Sequence, residues 1–252
     1  MRILLTNDDG INAPGLEVLE RIARQFSDDV WTVAPETDQS GVGHAMTLSA
    51  PMRLRKVGDQ KFALTGTPTD CVIMAVREVL DRKPDLILSG VNAGQNIGDH
   101  VLYSGTVAGA MEGAFLGIPA MALSQAFDFG GSRTVPWNTV ETAASEAISK
   151  VLAANLPADV FVNINFPNCA PEEIVETVVV SQGKFEHGLF IDKRRDGRGV
   201  SYYWLTFGGP PPDVKPETDV EALRDNKIAV SPLKLDLTEE RCMAALKSSF
   251  SS

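Results

Sequence analysis

The chain has 252 residues, and its 33 acidic side chains outnumber its 23 lysines and arginines, so its formal net charge at pH 7 is −10. A surface this negative repels polyanions, which excludes sequence-independent binding to nucleic-acid polymers; it would also repel a small phosphate compound unless a local positive charge reversed the sign. With 44% hydrophobic and 22% charged residues, the composition is that of a globular protein with a sizeable core.

Strand and helix patterns alternate along the first two thirds of the chain. The strands predicted there are 3–5, 30–34, 86–89, 120–124 and 160–166, and the helices are 16–26, 67–82, 106–116 and 140–154. Three short segments, 46–49, 52–57 and 61–65, are predicted as small antiparallel strands. Strand–helix–strand units connect parallel strands, so we expect an α/β fold with a Rossmann-like, doubly wound, mainly parallel sheet.

The pattern changes after Pro167. A strand is predicted over 175–181, a hairpin over 189–207, an extended Gly/Pro-rich arm over 208–216, a strand over 228–233 and a terminal helix from Thr238. The basic triplet 193–195 is predicted at the hairpin tip, where its side chains would be exposed to solvent. The alternative is that they bind substrate or a neighbouring subunit. We predict a catalytic core over 1–167 and a smaller segment over 168–252 whose last strand and helix pack back on the core.

The chain contains three cysteines: Cys71, Cys169 and Cys242. They are far apart and form no C-x-x-C pair, which disfavours a disulfide framework or a thiolate metal site and favours a reducing compartment. No signal-peptide segment is visible, and the longest mostly apolar stretch, 101–127, is interrupted by Glu112 and Pro119. We therefore expect a cytoplasmic protein with no membrane partner.

Polar side chains follow three of the predicted parallel strands, at the edge where open sheets bind ligands. These clusters are Asn7-Asp8-Asp9-Gly10, the residues from Glu36 to Ser40, and those from Ser89 to Asn96. Adjacent carboxylates repel each other, and a divalent cation relieves the repulsion. Carboxylate, hydroxyl and amide oxygens favour Mg²⁺ or Mn²⁺ over Zn²⁺. The alternative is that Asp8 or Asp9 caps the following helix or forms an Asx turn.

Ser104, Gly105 and Thr106 open a predicted helix rich in small residues. Free N–H groups and the positive end of the helix dipole bind anions, so a metal across the crevice makes phosphate the favoured ligand. An ordinary Ser/Thr cap on a closely packed helix is the alternative. The chain has neither a G-x-x-x-x-G-K-[ST] loop nor a dinucleotide fingerprint, and it lacks the G-x-S-x-G motif of serine hydrolases.

His44 follows the second polar cluster closely. It could contact substrate or act as an acid or base, and a hydrogen-bonded structural role is the alternative. His100 and His187 lie in polar loops without ligand-like spacing, and we assign them no role.

Several of these segments together resemble the SurE (survival protein E) family of metal-dependent nucleotide phosphatases. The segments are Thr6-Asn7-Asp8-Asp9-Gly10 with Gly15, Ala34-Pro35 followed by Ser40-Gly41 and His44, Thr65-Gly66-Thr67-Pro68-Thr69-Asp70-Cys71, Ser89-Gly90-Val91-Asn92 with Gly94 and Asn96, and Ser104-Gly105-Thr106-Val107 with Glu112-Gly113. They span about the first 125 residues in order, whereas after Pro167 the likeness rests on order and length.

The resemblance implies one divalent cation per subunit, Mg²⁺ or Mn²⁺, with ligands at Asp8, Asp9, Ser40 and Asn92. It places phosphate and nucleotide at Asn96 and at the 104–106 loop. It also implies that the C-terminal segment exchanges elements between subunits, so that the hairpin and the Pro-rich arm would build a homodimer or homotetramer.

The implied reaction is hydrolysis of nucleoside 5′-monophosphates, with Asp8 and Asp9 as catalytic residues through the cation they hold. The residues leave open direct attack by water or transient phosphorylation of an Asp, and the resemblance favours water. A broader phosphatase acting on 3′-nucleotides and short polyphosphate is one alternative. A non-catalytic, Mg²⁺-binding receiver-like module is another; it would need a separate phospho-accepting residue, for which Asp99 is the nearest candidate.

Overall fold

The computed structural model describes residues 1–128, 134–184, 188–208 and 214–251. Its strands are β1 (Ile3–Thr6), β2 (Val30–Pro35), β3 (Leu54–Gly58), β4 (Lys61–Leu64), β5 (Leu86–Ala93), β6 (Ala120–Gln125), β7 (Val160–Phe166), β8 (Thr177–Val179), β9 (Gly188–Arg195), β10 (Ser201–Gly208) and β11 (Ile228–Lys234). Its α-helices are α1 (Pro14–Ala23), α2 (Pro68–Met74), α3 (Gly105–Phe115), α4 (Trp137–Ala153), α5 (Asp219–Arg224) and α6 (Glu240–Phe250). Within these residues no helix is long and apolar enough to cross a lipid bilayer.

A nine-stranded sheet in the order β3-β4-β2-β1-β5-β6-β7-β11-β8 forms the centre of the molecule. All strands from β4 to β7 in that order run parallel, which confirms the predicted doubly wound α/β fold. The chain leaves β1 toward β2 on one side and later returns to β5 on the other. The connections therefore diverge at β1 and β5, and a ligand-binding crevice opens at the carboxyl ends of these two strands.

Helices α1 and α4 cover one face of this sheet and α2 and α3 cover the other, because each of these four presents apolar residues to it. Leu16 and Leu19 of α1 pack in one core cluster with Ile148 of α4. On the opposite face, Val72 of α2 packs with Val107 of α3. Burial on both faces explains why β1 consists entirely of buried residues.

The connection from β2 to α2 differs from the sequence prediction in one element. The predicted strand over 46–49 was wrong, because the backbone there bonds to helix side chains and not to another strand. Thr47 donates from its N–H and its Oγ1 to the Asp70 carboxylate, at 3.0 and 2.6 Å, and Thr67 Oγ1 donates to the carbonyl of Ala45 at 2.7 Å. Thr67 and Asp70 also form the predicted start of α2, with a reciprocal capping box.

The helix predicted over 67–82 is shorter and changes its winding. It is α-helical only to Met74 and continues as a π-helical turn over Ala75–Val79. The strand predicted over 86–89, in contrast, extends to Ala93, with an irregularity in its pairing to β6 between Ser89 and Asn92. Asn92 thus lies on a strand end.

Residues after Pro167 contribute to the same sheet and also form a separate hairpin. β11 pairs antiparallel with β7, and β8 pairs parallel with β11. β9 and β10 form a two-stranded sheet in which Lys193 pairs with Tyr203, so the basic triplet lies within β9 and its predicted place at the hairpin tip was wrong. His187 and positions 209–213 of the predicted arm lie outside the described residues.

Candidate active site

Asp8 and Asp9 lie in the crevice, just past the end of β1. Asn7 closes the turn there, with its Nδ2 donating to the carbonyl of Gly10 at 2.9 Å. Helix α1 begins after Ala13 without a side-chain cap, so neither aspartate is used as a helix cap. The turn-forming role that the sequence left open for the aspartates belongs to Asn7.

The N-terminus of α3 packs directly against Asp8. Thr106 Oγ1 donates to Asp8 Oδ1 at 2.5 Å, and both side chains are buried. A Cβ on residue 105 would lie 2.7 Å from Asp8 Cβ and 2.9 Å from Asp8 Oδ2, so only glycine allows this approach. The first N–H groups of α3, which have no partner inside the helix, therefore open beside a carboxylate.

Asp9 connects the end of β1 to the end of β5. Its Oδ2 accepts the backbone N–H of Ala93 at 3.2 Å. The neighbouring Asn92 donates from Nδ2 to the carbonyl of Gly94 at 2.8 Å, which leaves the Asn92 side-chain oxygen available as a ligand atom.

The loop after β2 brings Ser40 and a third carboxylate, Asp38, to the same crevice. The N–H of Gln39 donates to the backbone carbonyl of Asp8 at 2.8 Å. Asp38 Oδ1 accepts from both the Oγ and the N–H of Ser40, at 2.6 and 2.8 Å. Because the Ser40 hydroxyl donates to Asp38, its lone pairs remain free for a cation. The sequence placed Asp38 on this rim without giving it a role.

Three carboxylates lie close together in the crevice, and burial and mutual repulsion raise the pKa values of two of them. Burial raises the pKa of Asp8 to about 6; Asp9 and Asp38 add to this effect, and the hydrogen bond from Thr106 opposes it. Burial also raises the pKa of Asp9, helped by the charge of Asp38 and opposed by the N–H of Ala93. Among the described residues, no lysine or arginine forms an ion pair with Asp8 or Asp9.

This donor set fits a hard divalent cation. Two carboxylates without a cationic partner, a free hydroxyl lone pair and an amide oxygen are ligands that Mg²⁺ and Mn²⁺ accept. The described residues contain no group of three or more His, Cys, Asp or Glu side chains arranged for a metal.

Ser104 and Thr106 each have a local partner that fixes the start of α3. Ser104 Oγ accepts the N–H of Val107 at 3.0 Å, so the cap that the sequence offered as an alternative is present. Asn96 lies in the loop after β5 and donates from Nδ2 to Ser124 Oγ at 2.8 Å. The start of α3 lies beside Asp8, and Asn96 follows Asn92 by four positions along the chain.

His44 contacts Glu112, which lies toward the C-terminal end of helix α3. Its Nε2 lies 2.9 Å from Glu112 Oε2, with Glu112 buried and His44 partly exposed. Gly43 also donates to the carbonyl of Tyr103 at 3.0 Å. The loop that carries Ser40 is thereby fastened to the α3 region at two points.

Sequence reasoning missed a buried polar cluster on the neighbouring strands. Asn163 and Asn165 of β7 and Ser124 of β6 are fully buried and contact Asn96. The signal was present, because two asparagines interrupt an apolar strand pattern. Buried polar groups in such a strand indicate a specific partner.

Comparison with known proteins agrees with this geometry. The family described as Survival protein SurE matches residues 3–188. The chain is 58% identical over 239 residues to the 5′-nucleotidase SurE of Allorhizobium ampelinum, covering 95% of this chain and 93% of that one. It is 59% identical to the protein of that name from Mesorhizobium japonicum, with 94% and 95% covered.

A solved structure agrees as well. The crystal structure of the SurE protein from Aquifex aeolicus superposes with a TM-score of 0.84 at 36% identity, covering 99% of this chain and 100% of that one. The crevice, the order of its segments and the similarity along nearly the whole chain lead to one assignment: this chain is a member of the SurE family.

Proposed function

We propose that this protein is a metal-dependent phosphatase that hydrolyses nucleoside 5′-monophosphates to nucleoside and phosphate. One observation carries the proposal: Asp8, which is buried, and the adjacent Asp9, which is partly buried, have no cationic partner among the described residues, and Asp8 lies in direct contact with the N-terminus of α3. The relatives named 5′-nucleotidase SurE support the substrate class.

The proposed ligands of the cation are Asp8, Asp9, Ser40 and Asn92. When bound, a divalent cation draws charge from phosphoryl oxygens and makes water a better nucleophile. The chain's own residues orient the reactants. Thr106 holds one oxygen of Asp8, and the Ala93 N–H holds one oxygen of Asp9, so the remaining oxygens face the crevice in fixed directions.

The phosphate is proposed to lie between this site and the start of α3. The N–H groups of Gly105 and Thr106 would donate to phosphoryl oxygens, at the positive end of the helix dipole. Asn96 would donate its second side-chain N–H, since Ser124 accepts the first. Such fixed donors stabilise the charge that develops during phosphoryl transfer.

The test is phosphate release from AMP in saturating Mn²⁺ or Mg²⁺, with and without EDTA. We expect turnover with metal, none with EDTA, and none for Asp9→Asn in either condition. Asp28→Asn is the matched control, because Asp28 is an exposed acid that precedes β2 at the other end of the sheet. Full activity of Asp9→Asn, or of the metal-free enzyme, would refute the proposal.

A substrate panel separates the alternatives. Faster hydrolysis of 3′-nucleotides or short polyphosphate than of 5′-nucleotides would favour the broader phosphatase. The receiver-like module predicts metal binding without turnover. Its candidate acceptor Asp99 lies in a short 3₁₀ turn, Gly98–Leu102, and not at the end of a strand.

We also propose a homodimer or homotetramer in the cytoplasm. The hairpin leaves Tyr203, Trp204 and Leu205 exposed, and α6 has no buried residue. Apolar surface of this extent is typical of subunit contacts. Light scattering after size exclusion should give a multiple of 27.1 kDa, and Trp204→Asp should lower it. The three free cysteines support a reducing compartment.

A further inference from the structure

Two asparagines of β7 are buried where the strand pattern calls for apolar residues. Asn163 and Asn165 alternate with Val162 and Ile164, and all four side chains are almost completely buried. A buried amide costs free energy unless it is hydrogen-bonded, so a strand keeps such residues for specific contacts.

Both asparagines bind the backbone of one residue, Asn96. Asn165 accepts the N–H of Asn96 with Oδ1 at 2.8 Å and donates from Nδ2 to the Asn96 carbonyl at 3.1 Å. Asn163 donates to that same carbonyl at 2.7 Å. With Ser124 on the Asn96 side chain, both backbone polar groups and one side-chain N–H of Asn96 are held by two neighbouring strands.

The loop around Asn96 is held at its two ends by other contacts, since the Gly94 N–H donates to the carbonyl of Gln125 at 2.9 Å and the Gly98 N–H donates to Asp219 Oδ2 at 3.0 Å. It leaves β5 at Ala93 and reaches the 3₁₀ turn at Gly98, with positive φ angles at Gly94 and Gly98. Glycines in such conformations permit many backbone paths in the absence of other contacts. Between these two ends, the bonds from β7 and from Ser124 fix the position of Asn96 itself.

We propose that Asn163 and Asn165 are positioning residues for phosphoryl transfer, acting on the phosphate only through Asn96. This inference rests on the proposed function, in which Asn96 donates to a phosphoryl oxygen. Neither residue is proposed to touch substrate. A displacement of about 1 Å in a reacting group reduces turnover by about 100-fold, so even a partial loosening of Asn96 should be measurable.

The experiment is a double-mutant cycle on kcat/KM for AMP hydrolysis with saturating Mn²⁺. The four proteins are wild type, Asn96→Ala, Asn163→Ala and the double variant. Asn163→Ala removes one hydrogen bond to Asn96, whereas Asn165→Ala removes two. A second cycle with Asn165→Ala in place of Asn163→Ala is measured in the same way. We expect Asn163→Ala to lower kcat/KM by about tenfold in the wild-type background but by less than about twofold when Asn96 is already alanine.

Ser231→Ala is the matched control. Ser231 is the β11 partner of Asn163 in the sheet, equally buried, and its Oγ has no hydrogen-bond partner among the described residues. We expect its kcat/KM to equal that of the wild type, with thermal unfolding recorded for every variant to compare stability.

The outcomes are distinct. An equal factor for Asn163→Ala in both backgrounds would reveal a general structural role and overturn the inference, as would unchanged activity of Asn163→Ala or of Asn96→Ala. An inactive wild-type protein would overturn the proposed function and this inference with it. An active wild type with independent mutational effects would overturn the inference alone.

Discussion

Replacement of Gly105 by alanine should impair catalysis in addition to destabilising the fold, because the new Cβ would displace Asp8. The new Cβ would lie 2.7 Å from Asp8 Cβ, 2.9 Å from Asp8 Oδ2 and 3.1 Å from Asp8 Cγ. Carbon atoms normally approach to about 3.5–4.0 Å, so the carboxylate or the helix must move by about 1 Å. A displacement of that size at the reacting groups costs about 100-fold in kcat/KM, or about 2.7 kcal/mol of transition-state stabilisation.

Gly113→Ala provides a matched control on the same helix. Its Cβ would lie 2.8 Å from Ala120 Cβ and 3.0 Å from Ile87 Cδ1, which is a comparable clash in an apolar part of the core. Overpacking costs about 1–3 kcal/mol of stability, so both variants should unfold at lower denaturant concentration.

Steady-state phosphate release from AMP and urea unfolding, measured on both variants, separate the two effects. We expect a loss of about 100-fold in kcat/KM for Gly105→Ala and of less than about threefold for Gly113→Ala. Equal activity losses in the two variants, or full activity of Gly105→Ala, would refute the argument that the close approach of α3 to Asp8 serves the reaction.

Three further predictions concern stability. Mn²⁺ at 100 times its dissociation constant should stabilise the wild type by about 2.7 kcal/mol in thermal unfolding, reversibly with EDTA, and should not stabilise Asp9→Asn. Burial raises the pKa of Asp219 despite N–H bonds from Gly98 and Gly183, so the folded protein binds this proton more tightly than the unfolded chain. We therefore expect the difference in unfolding free energy between the wild type and Asp219→Asn, measured by urea titration, to fall as pH rises from about 4 to 7. A rise in this difference would contradict the direction of the pKa shift. Thr67→Ala should lose about 1 kcal/mol of stability in the same assay because it removes a capping box, whereas an unchanged midpoint would contradict this.

The parallel, doubly wound sheet and the edge that carries the crevice could be predicted because local signals determine them. β1 is a short run of buried, mainly apolar residues that is followed by Asn7, Asp8 and Asp9, and parallel topology brings the strand ends to one edge. The start of α2 at Thr67 was equally predictable, since the residues that form it lie within four positions of the chain.

The contacts missed by sequence reasoning join residues that are distant in the chain. Thr47 bonds to Asp70, which removes the strand expected at 46–49. Asn165 lies 69 positions from Asn96 in the chain. No local sequence pattern predicts which backbone groups a buried asparagine will bind. Helix α5 was overlooked because six residues are too short for a recognisable apolar period.

The chain's net charge of −10 and a phosphate substrate become compatible through the geometry of this crevice. Charges more than about 8 Å away are largely screened at physiological salt, so most of the 33 acidic side chains act weakly on a ligand bound there. Asp8 and Asp9 act at contact distance, and without a cation they would repel phosphate strongly. In the proposed mechanism the same two carboxylates, Asp8 held by Thr106 and Asp9 held by the Ala93 N–H, would recruit the cation. On this proposal, attraction for phosphate would depend on metal occupancy and on the start of α3, and only weakly on the composition of the remaining surface.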